Sequence, residues 1–515
     1  MKLGLAAFLV VFMFPSFAWS AENHDFFKTY DLEIEGVFSD HIVEDLNNDQ
    51  QPDIIVMHGT EDKKRMLSIF FQQDGGFGKK ADQVWEIDNR IILFDIGNID
   101  EDPEKEIVCV LKDGLYYYKL NGNRYDPALN KMLDIRSIFV VPDKARFPSW
   151  NFLRDLNDDD IDDLFIPTFE GYAIYYRDKS GRYSLNSLLT APLTGEISAV
   201  KQSGSNTGDY TNMRYTTSTF LFHDYNRDGR SDIISFDENY LYVYFQDESG
   251  GFSSEGEHHK KVDIIENKRG LTISIGTKNK NEQVDISKIA DINNDGLLDI
   301  IAIKMDTKAN MLNPTSQIQI YLGKRSESGQ GAVFSKTPDQ IIVCEGLQIG
   351  IELKDLNGDN YMDLTVPSVK LGVLKIVKIL LMRRATLEIL IHMSDASGKY
   401  SEIPDFKTDF SIEFSYSGGS TIPVHDYNDY NGDGMVDVLA SKSSEELDIY
   451  FGRSDELLVN KRPDVKFMIN LPNNGSAVKP VSLNNDKKMD LIINYSDQDN
   501  EKELKKSHIK VLIAG

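Results

Sequence analysis

Short apolar runs alternate with polar, acid-rich phrases along almost the whole chain. Each phrase is followed at once by a β-branched or aliphatic run: Ile54 to Val56, Leu164 to Ile166, Ile233 and Ile234, Ile300 to Ile303, Val438 and Leu439, Leu491 to Ile493. A second run, alternating or aromatic, comes next: Leu67 to Phe71, Leu115 to Tyr118, Ala173 to Tyr176, Leu241 to Phe245, Ile318 to Tyr321, Leu447 to Phe451. Period-two alternation in β-branched and aromatic residues, bounded by Gly, Asn and Asp, is the signature of strands. Glycine turns such as Asp74 to Phe77, Ser180 to Tyr183, Ser249 to Phe252 and Ser397 to Tyr400 close hairpins. A short final run, for example Val84 to Ile87, leads to the next phrase. The predicted unit has four strands: one before the polar phrase, a hairpin after it, and one more.

The phrase itself is a nine-residue repeat, Asp-x-Asn-x-Asp-x-x-x-Asp. It occurs at Asp45, Asn47, Asp49 and Asp53; at Asp155, Asn157, Asp159 and Asp163; and at Asp224, Asn226, Asp228 and Asp232. It returns at Asp291, Asn293, Asp295 and Asp299; at Asp355, Asn357, Asp359 and Asp363; and at Asp429, Asn431, Asp433 and Asp437. An eighth copy keeps Asn484, Asp486 and Asp490 but has Ser482 in first place, and a divergent second copy starts at Asp95 and runs through Asp100 and Asp102 to Glu106. Eight copies spaced by roughly 50 to 75 residues suit propeller blades better than solenoid turns. The reading is an all-β, eight-bladed propeller of four-stranded blades, with seven blades as the alternative. The last repeat ends after its third strand, Ile509 to Ile513, while Tyr30 to Glu35 precedes the first phrase as a spare strand. The N-terminal strand is therefore expected to complete the last blade, which removes a sheet edge.

Oxygen side chains at positions 1, 3, 5 and 9 of a tight turn, with the carbonyl of position 7, form a ligand set for a hard cation such as Ca²⁺. The carbonyl donors are those of Gln51, Ile161, Arg230, Leu297, Tyr361 and Met435, and Gly229, Gly296 and Gly434 at position 6 permit the bend. The start resembles an EF-hand loop, but a strand follows where an EF-hand has a helix, and the glutamate at position 12 is missing. Repetition in fixed register with the strands sets these loops apart from ordinary polar turns.

The loop between two strands, with the later Gly-Phe or Gly-Tyr turn, resembles the FG-GAP/VCBS repeat family and is similar to integrin α-subunit propellers. The resemblance spans nearly the whole chain after residue 20, so residues 21–515 are expected to form one domain. It implies several calcium ions, one per intact loop, and a binding, adhesion or scaffold role, with a protein or glycan as partner. Some polysaccharide lyases are similar propellers, which keeps a carbohydrate-active enzyme or a non-catalytic lectin as alternatives.

Charge fits this picture. Acidic residues outnumber basic ones, 82 to 56, for a formal net charge of −26, which repels nucleic-acid phosphates. Lys2, the apolar stretch Leu3 to Phe17 and the small residues around Ala18 and Ser20 read as a signal peptide over residues 1–20, cleaved before Ala21. The expected location is outside the cytoplasm: periplasm, cell surface or medium. Cys109 and Cys344 sit in apolar runs of different repeats and read as buried free thiols.

Four other features have alternative chemical readings. Lys370 to Arg384 is a basic run in an acidic protein and is expected as an inserted helix around 370–384, packed on the propeller or meeting a membrane. The pairs His223-Asp224 and His425-Asp426 resemble catalytic dyads, although Asp224 is already the first residue of a phrase. Arg154, His223, Lys354 and His425 would form a basic ring near the channel if a lyase were correct. Gln202 to Ser218, rich in Ser, Thr, Asn and Gly, reads as a long rim loop.

Overall fold

Each polar phrase joins two antiparallel strands, and the apolar run after it is the second strand of a four-stranded sheet. The structure, a computed structural model, describes residues 26–62, 64–139, 141, 148–178, 180–191, 194–200, 210–216, 218–236, 241–259, 283–306, 315–326, 331–348, 350–369, 384–413, 424–453, 459, 462–495 and 508–515. In blade 1 the strands Val37–Glu44, Asp53–Gly59, Arg65–Phe70 and Gln83–Glu86 lie side by side in chain order. Seven further sheets follow the same plan, with second strands Glu106–Leu111, Asp163–Pro167, Asp232–Phe236, Asp299–Asp306, Asp363–Val369, Asp437–Ser441 and Asp490–Asn494. These strands read as unbroken apolar runs because blades cover them on both faces; residues 106–111, for example, are buried throughout.

The hydrophobic cores lie between the sheets. Met57 and Phe71 of blade 1 pack with Phe94 and Cys109 of blade 2, and Val108 and Leu115 with Leu164 and Ala173 of blade 3. The series continues through Phe165 with Tyr244, Val243 with Leu298, Ile301 with Val366, Ile389 with Val438 and Leu439 with Leu491. It returns to its start where Ile492 and Val511 of blade 8 pack on Ile54 and Val56 of blade 1. Eight seams in a closed cycle make an eight-bladed propeller, so the divergent second copy and the weak eighth copy both belong to full blades, and the seven-bladed alternative falls.

Ring closure runs as expected. Phe27–Glu33 pairs antiparallel with His508–Ala514, from Phe27 opposite Ala514 to Glu33 opposite His508, and supplies the fourth strand of blade 8. Cys109 and Cys344 are free and buried, and burial pushes the Cys344 thiol up to about 11. The helical content among the described residues is a single turn, Gly475–Ala477.

One expected loop is partly a strand. Thr194–Val200 and Tyr210–Thr216 pair as a separate two-stranded sheet between blades 3 and 4, so the second half of the 202–218 stretch is a hairpin arm. Alternation of Tyr, Asn and Arg with Thr and Met there outweighs the polar composition. Residues 202–209 and 217 lie outside the described residues, as do residues 1–25 and 370–383 of the signal-peptide and inserted-helix expectations. Arg384 opens the strand Arg384–His392 rather than ending a helix.

Candidate metal loops at one end of the ring

Register fixes the loops before any side chain is considered. Position 9 pairs with the residue before position 1 in every blade: Asp53 with Glu44, Asp163 with Arg154, Asp232 with His223, Asp299 with Ala290, Asp363 with Lys354, Asp437 with Asn428 and Asp490 with Val481. Within six loops (blades 1 and 3 to 7), the carboxylate at position 1 accepts the backbone N–H of position 5 at 3.0–3.2 Å and that of position 6 at 2.7–2.9 Å. In five of these loops, all but that of blade 3, and in the loop of blade 8, the N–H of position 5 also meets the side-chain oxygen of Asn at position 3, at 2.8–3.3 Å. The carboxylate at position 5 accepts the N–H of position 7 at 2.8–3.0 Å. The chain thus curls around its own oxygens.

That curl needs left-handed backbone. Position 6 has φ of 66–89° at Gln50, Asp160, Gly229, Gly296, Asn360, Gly434 and Lys487, and position 4 has φ of 52–81° in the six complete copies. Asn, Asp and Gly dominate there because they tolerate this region best.

Position 9 plays a part the sequence did not reveal. All seven aspartates are at most 1% exposed. One carboxylate oxygen accepts the N–H of position 2 at 2.8–3.1 Å. In six blades the other oxygen accepts an N–H at the end of the third strand or just past it (Gln72, Gln246, Gly323, Ser394, Gly452 and Ala514) at 2.7–2.9 Å. In those six blades the aspartate therefore clasps the loop's start to its own second and third strands. Burial, reinforced by the acidic side chains at positions 1 and 5, pushes Asp53 and Asp299 up to about 7; backbone N–H groups work against the shift. Asp363 and Asp437 rise to about 6 for the same reasons.

Loops are also stitched to their neighbours. The N–H at position 8 donates to a carbonyl of the preceding loop: Lys105 to Leu46, Met362 to Ile292, and Met489 to Asp429, each at 2.8 Å. Tyrosines after the third strand cap the carbonyl of position 8, Tyr125 on Lys105, Tyr183 on Asp162 and Tyr400 on Met362, at 2.8–3.0 Å. The signal for this was in the sequence as the aromatic residue of the glycine turn.

The residues fit a hard cation. Positions 1, 3 and 5 offer two carboxylates and an amide oxygen on one short turn, held inward by backbone N–H groups, and position 7 adds a carbonyl. A cation there would favour the ionised form of the buried position 9.

Blade 2 departs from this pattern. Gly97 pairs with Glu106, so position 1 is Asn98 and the spacing is the ordinary one: Asn98, Asp100, Asp102 and Glu106. The copy does not start at Asp95, which lies on the first strand and accepts the N–H groups of Phe152 and Leu153 at 2.6 and 2.8 Å. Position 6 is Pro103. The ammonium of Lys119 bonds Asp100 and Asp102 and lies 3.3 Å from Glu106. In the other blades the residue at the register of Lys119 is Phe71, Tyr176, Phe245, Leu322, Met393, Phe451 or Ile513. Partial burial pulls Lys119 down, but the bonds to Asp100 and Asp102 outweigh it and hold the ammonium above its usual range.

The structure does not bring the other candidate groups together. Arg154, His223 and Lys354 each end a first strand, whereas His425 begins one, opposite Ala440, and is off that level. Arg154 lies 3.9 Å over the ring of Phe222, and Lys354 donates to the carbonyl of Tyr427 at 2.6 Å. Arg154 and Lys354 are thus used at seams to the next blade, and with His425 off the level of the other three the four form no basic ring. Asp224 is committed to its loop by Asp228 and Gly229. Asp426 is bonded by Asn428 and Tyr430 at 2.5 and 2.7 Å.

Fold and loops define the class: an eight-bladed β-propeller whose blades repeat one acidic loop. No family model matches the chain, and no curated protein matches it. Among solved structures it is similar to an Agrocybe aegerita lectin described as recognising non-reducing terminal N-acetylglucosamine: 13% identity, TM-score 0.38, covering 85% of this chain and 95% of that one. It is also similar to the V. cholerae biofilm matrix protein Bap1: 12% identity, TM-score 0.26, covering 95% of this chain and 91% of that one. At these values neither likeness says what this chain binds.

Proposed function

We propose that this chain is an exported, calcium-stabilised propeller of the FG-GAP/VCBS kind that serves as a binding or adhesion scaffold for a protein or glycan. The observation that carries the reading is one loop geometry repeated around the ring, with side-chain oxygens at positions 1, 3 and 5 turned inward by the same backbone bonds. Side chains at positions 1, 3, 5 and 9 and the carbonyl of position 7 would hold the ion in blades 1 and 3 to 7. Blade 8 lacks the first carboxylate, because Ser482 stands there, and would hold calcium most weakly. A bound ion cross-links the loop to the strands it joins. The ring then acts as a rigid support, and its other end is free to vary for recognition.

Thermal unfolding of the mature protein in calcium and in chelator tests the metal part. A lower melting temperature in chelator, restored by calcium and not by magnesium, supports it; superimposable curves refute it. Glycan-array and matrix-protein binding of the calcium-loaded protein tests the scaffold part. Turnover of an acidic polysaccharide, seen as new unsaturated ends, would replace it with the lyase reading.

A further inference from the structure

We infer that the loop of blade 2 carries its own cation, the ammonium of Lys119, where its counterparts would hold calcium, so that this blade is locked without metal. The inference rests on the calcium reading of the other loops. Three observations meet in it.

The first is backbone. Position 6 is left-handed in all seven other loops, at φ of 66–89°. Pro103 occupies it in blade 2, and a proline ring holds φ near −65° and removes the N–H that position 1 would accept. The N–H groups of Asp102 and Glu104 still meet the carboxylates of Asp100 and Asp102, at 3.1 and 3.2 Å, but the left-handed residue and the N–H that tie position 6 to position 1 in the other loops are missing here.

The second is the replacement at the seam. Lys119 stands where every other blade has an aliphatic or aromatic side chain and none has a charge, and its ammonium reaches Asp100, Asp102 and Glu106 of its own loop. An isolated lysine at that depth would be costly to desolvate, and the carboxylates offset the cost. Glu106 supplies the third, being 0% exposed and one methylene longer than the aspartate found at position 9 elsewhere.

The third is spacing. Asp100, Asp102 and Glu106 are the one group of three acidic, His or Cys side chains among the described residues whose ligand atoms all lie within 4.8 Å of one another. Three carboxylates this close repel one another unless a positive charge or a proton lies among them, and the ammonium of Lys119 supplies that charge.

The consequence is a ring whose blade 2 keeps its geometry in calcium-poor surroundings, while its neighbours become able to open.

Hydrogen exchange read by mass spectrometry on the full mature protein, in millimolar calcium and in chelator, tests this. Wild-type protection over residues 98–106 is expected to be the same in both, while residues 291–299 and 429–437 lose at least tenfold in chelator. Lys119→Met is expected to lose at least tenfold over 98–106 in chelator. A calcium-dependent rise over 98–106 in the wild type overturns the inference, and that arm decides alone if the variant does not fold. Undiminished protection in Lys119→Met overturns it as well. If 291–299 and 429–437 ignore calcium while Lys119→Met still exposes 98–106, the calcium reading fails and the role of Lys119 stands.

Discussion

The two ends of the ring obey different rules. At the loop end, eight residues join the first strand to the second in every blade, from 45–52 in blade 1 to 482–489 in blade 8. At the opposite end, the link from second to third strand ranges from the two residues 112–113 to the fourteen residues 370–383. Loop-closure entropy does not account for this, since it rises slowly with length and would tolerate variation at either end. Buried bonds account for it. Position 9 must reach position 2 while it stays bonded at the end of the third strand, and one residue inserted in the loop would break the first contact. The link from first to second strand is constrained by chemistry, and that from second to third only by connectivity.

Calcium removal should separate the ends most. At a hundredfold excess over Kd, each occupied site adds about 2.7 kcal/mol by mass action, and several sites act on one ring. Chelator should therefore lower the melting temperature by many degrees. Exchange protection should be lost first in the loops of blades 1 and 3 to 7, with the 168–171 turn at the opposite end responding later. Uniform loss at both ends would show that the loops are not the metal's point of action.

The clasp should come next. Asp437→Ala strips the bonds at 2.8 Å to Tyr430 N–H and 2.7 Å to Gly452 N–H and leaves both donors without their acceptor. Hydrogen bonds to a charged group contribute about 1.5–3 kcal/mol each, so a loss of about 3–5 kcal/mol is expected in urea unfolding with chelator present. Without metal, that loss cannot come from ligation. A change under ~1 kcal/mol would mean that position 9 acts only as a ligand.

Blade count, blade composition and ring closure were legible in the sequence because each rests on repetition in register, which a pattern displays directly. The role of position 9 was not, since an aspartate that ligates and one that clasps its own backbone spell the same letter. Blade 2 misled for a related reason. Its copy was anchored on Asp95, the nearest aspartate of the right type, whereas strand pairing anchors it on Asn98. Two signals were available: Pro103 where the other copies have Gly, Asn, Asp, Gln or Lys, and Lys119 in a column of aliphatic and aromatic residues. Both become visible only when copies are aligned by strand rather than by acid. The basic ring is absent because packing commits Arg154 and Lys354 to seams, which their sequence positions alone do not display.

Acid should expose a smaller asymmetry. His58, at the end of the second strand of blade 1, is 4% exposed. Its Nδ1 lies 2.7 Å from the carbonyl of Glu35, just after the ring-closing strand, and its Nε2 lies 2.8 Å from Ser68 Oγ. Burial lowers its pKa below the usual 6.5, although the Glu35 carbonyl works against the shift. A histidine whose folded value is depressed contributes stability above about 6.5 and loses it as pH falls towards the folded value, because the unfolded chain takes the proton first. This contribution should be lost between pH 7 and pH 5, so the wild type should lose more melting temperature, or gain less, over that range than His58→Gln. The buried position-9 carboxyls, with raised values, act in the opposite direction, so the difference between wild type and variant isolates His58. An unchanged slope would show that the contacts of His58 with Glu35 and Ser68 do not depend on its staying neutral.

The smallest effect should follow from editing the opposite end itself. Replacing residues 370–383 by a short Gly-Ser link alters the chain between Asp363–Val369 and Arg384–His392, whose ladder from Leu364 opposite His392 to Val369 opposite Leu387 is complete without it. Each halving of a flexible link changes closure entropy by only about 0.6 kcal/mol, so unfolding in urea should shift by less than ~1 kcal/mol and the calcium response should be intact. A loss as large as that of Asp437→Ala would show that this segment is built into the ring. The variant also separates stability from recognition: a ligand lost while the ring stands would place binding at the end where the chain is free to vary, and a ligand retained would move the search to the acidic loops.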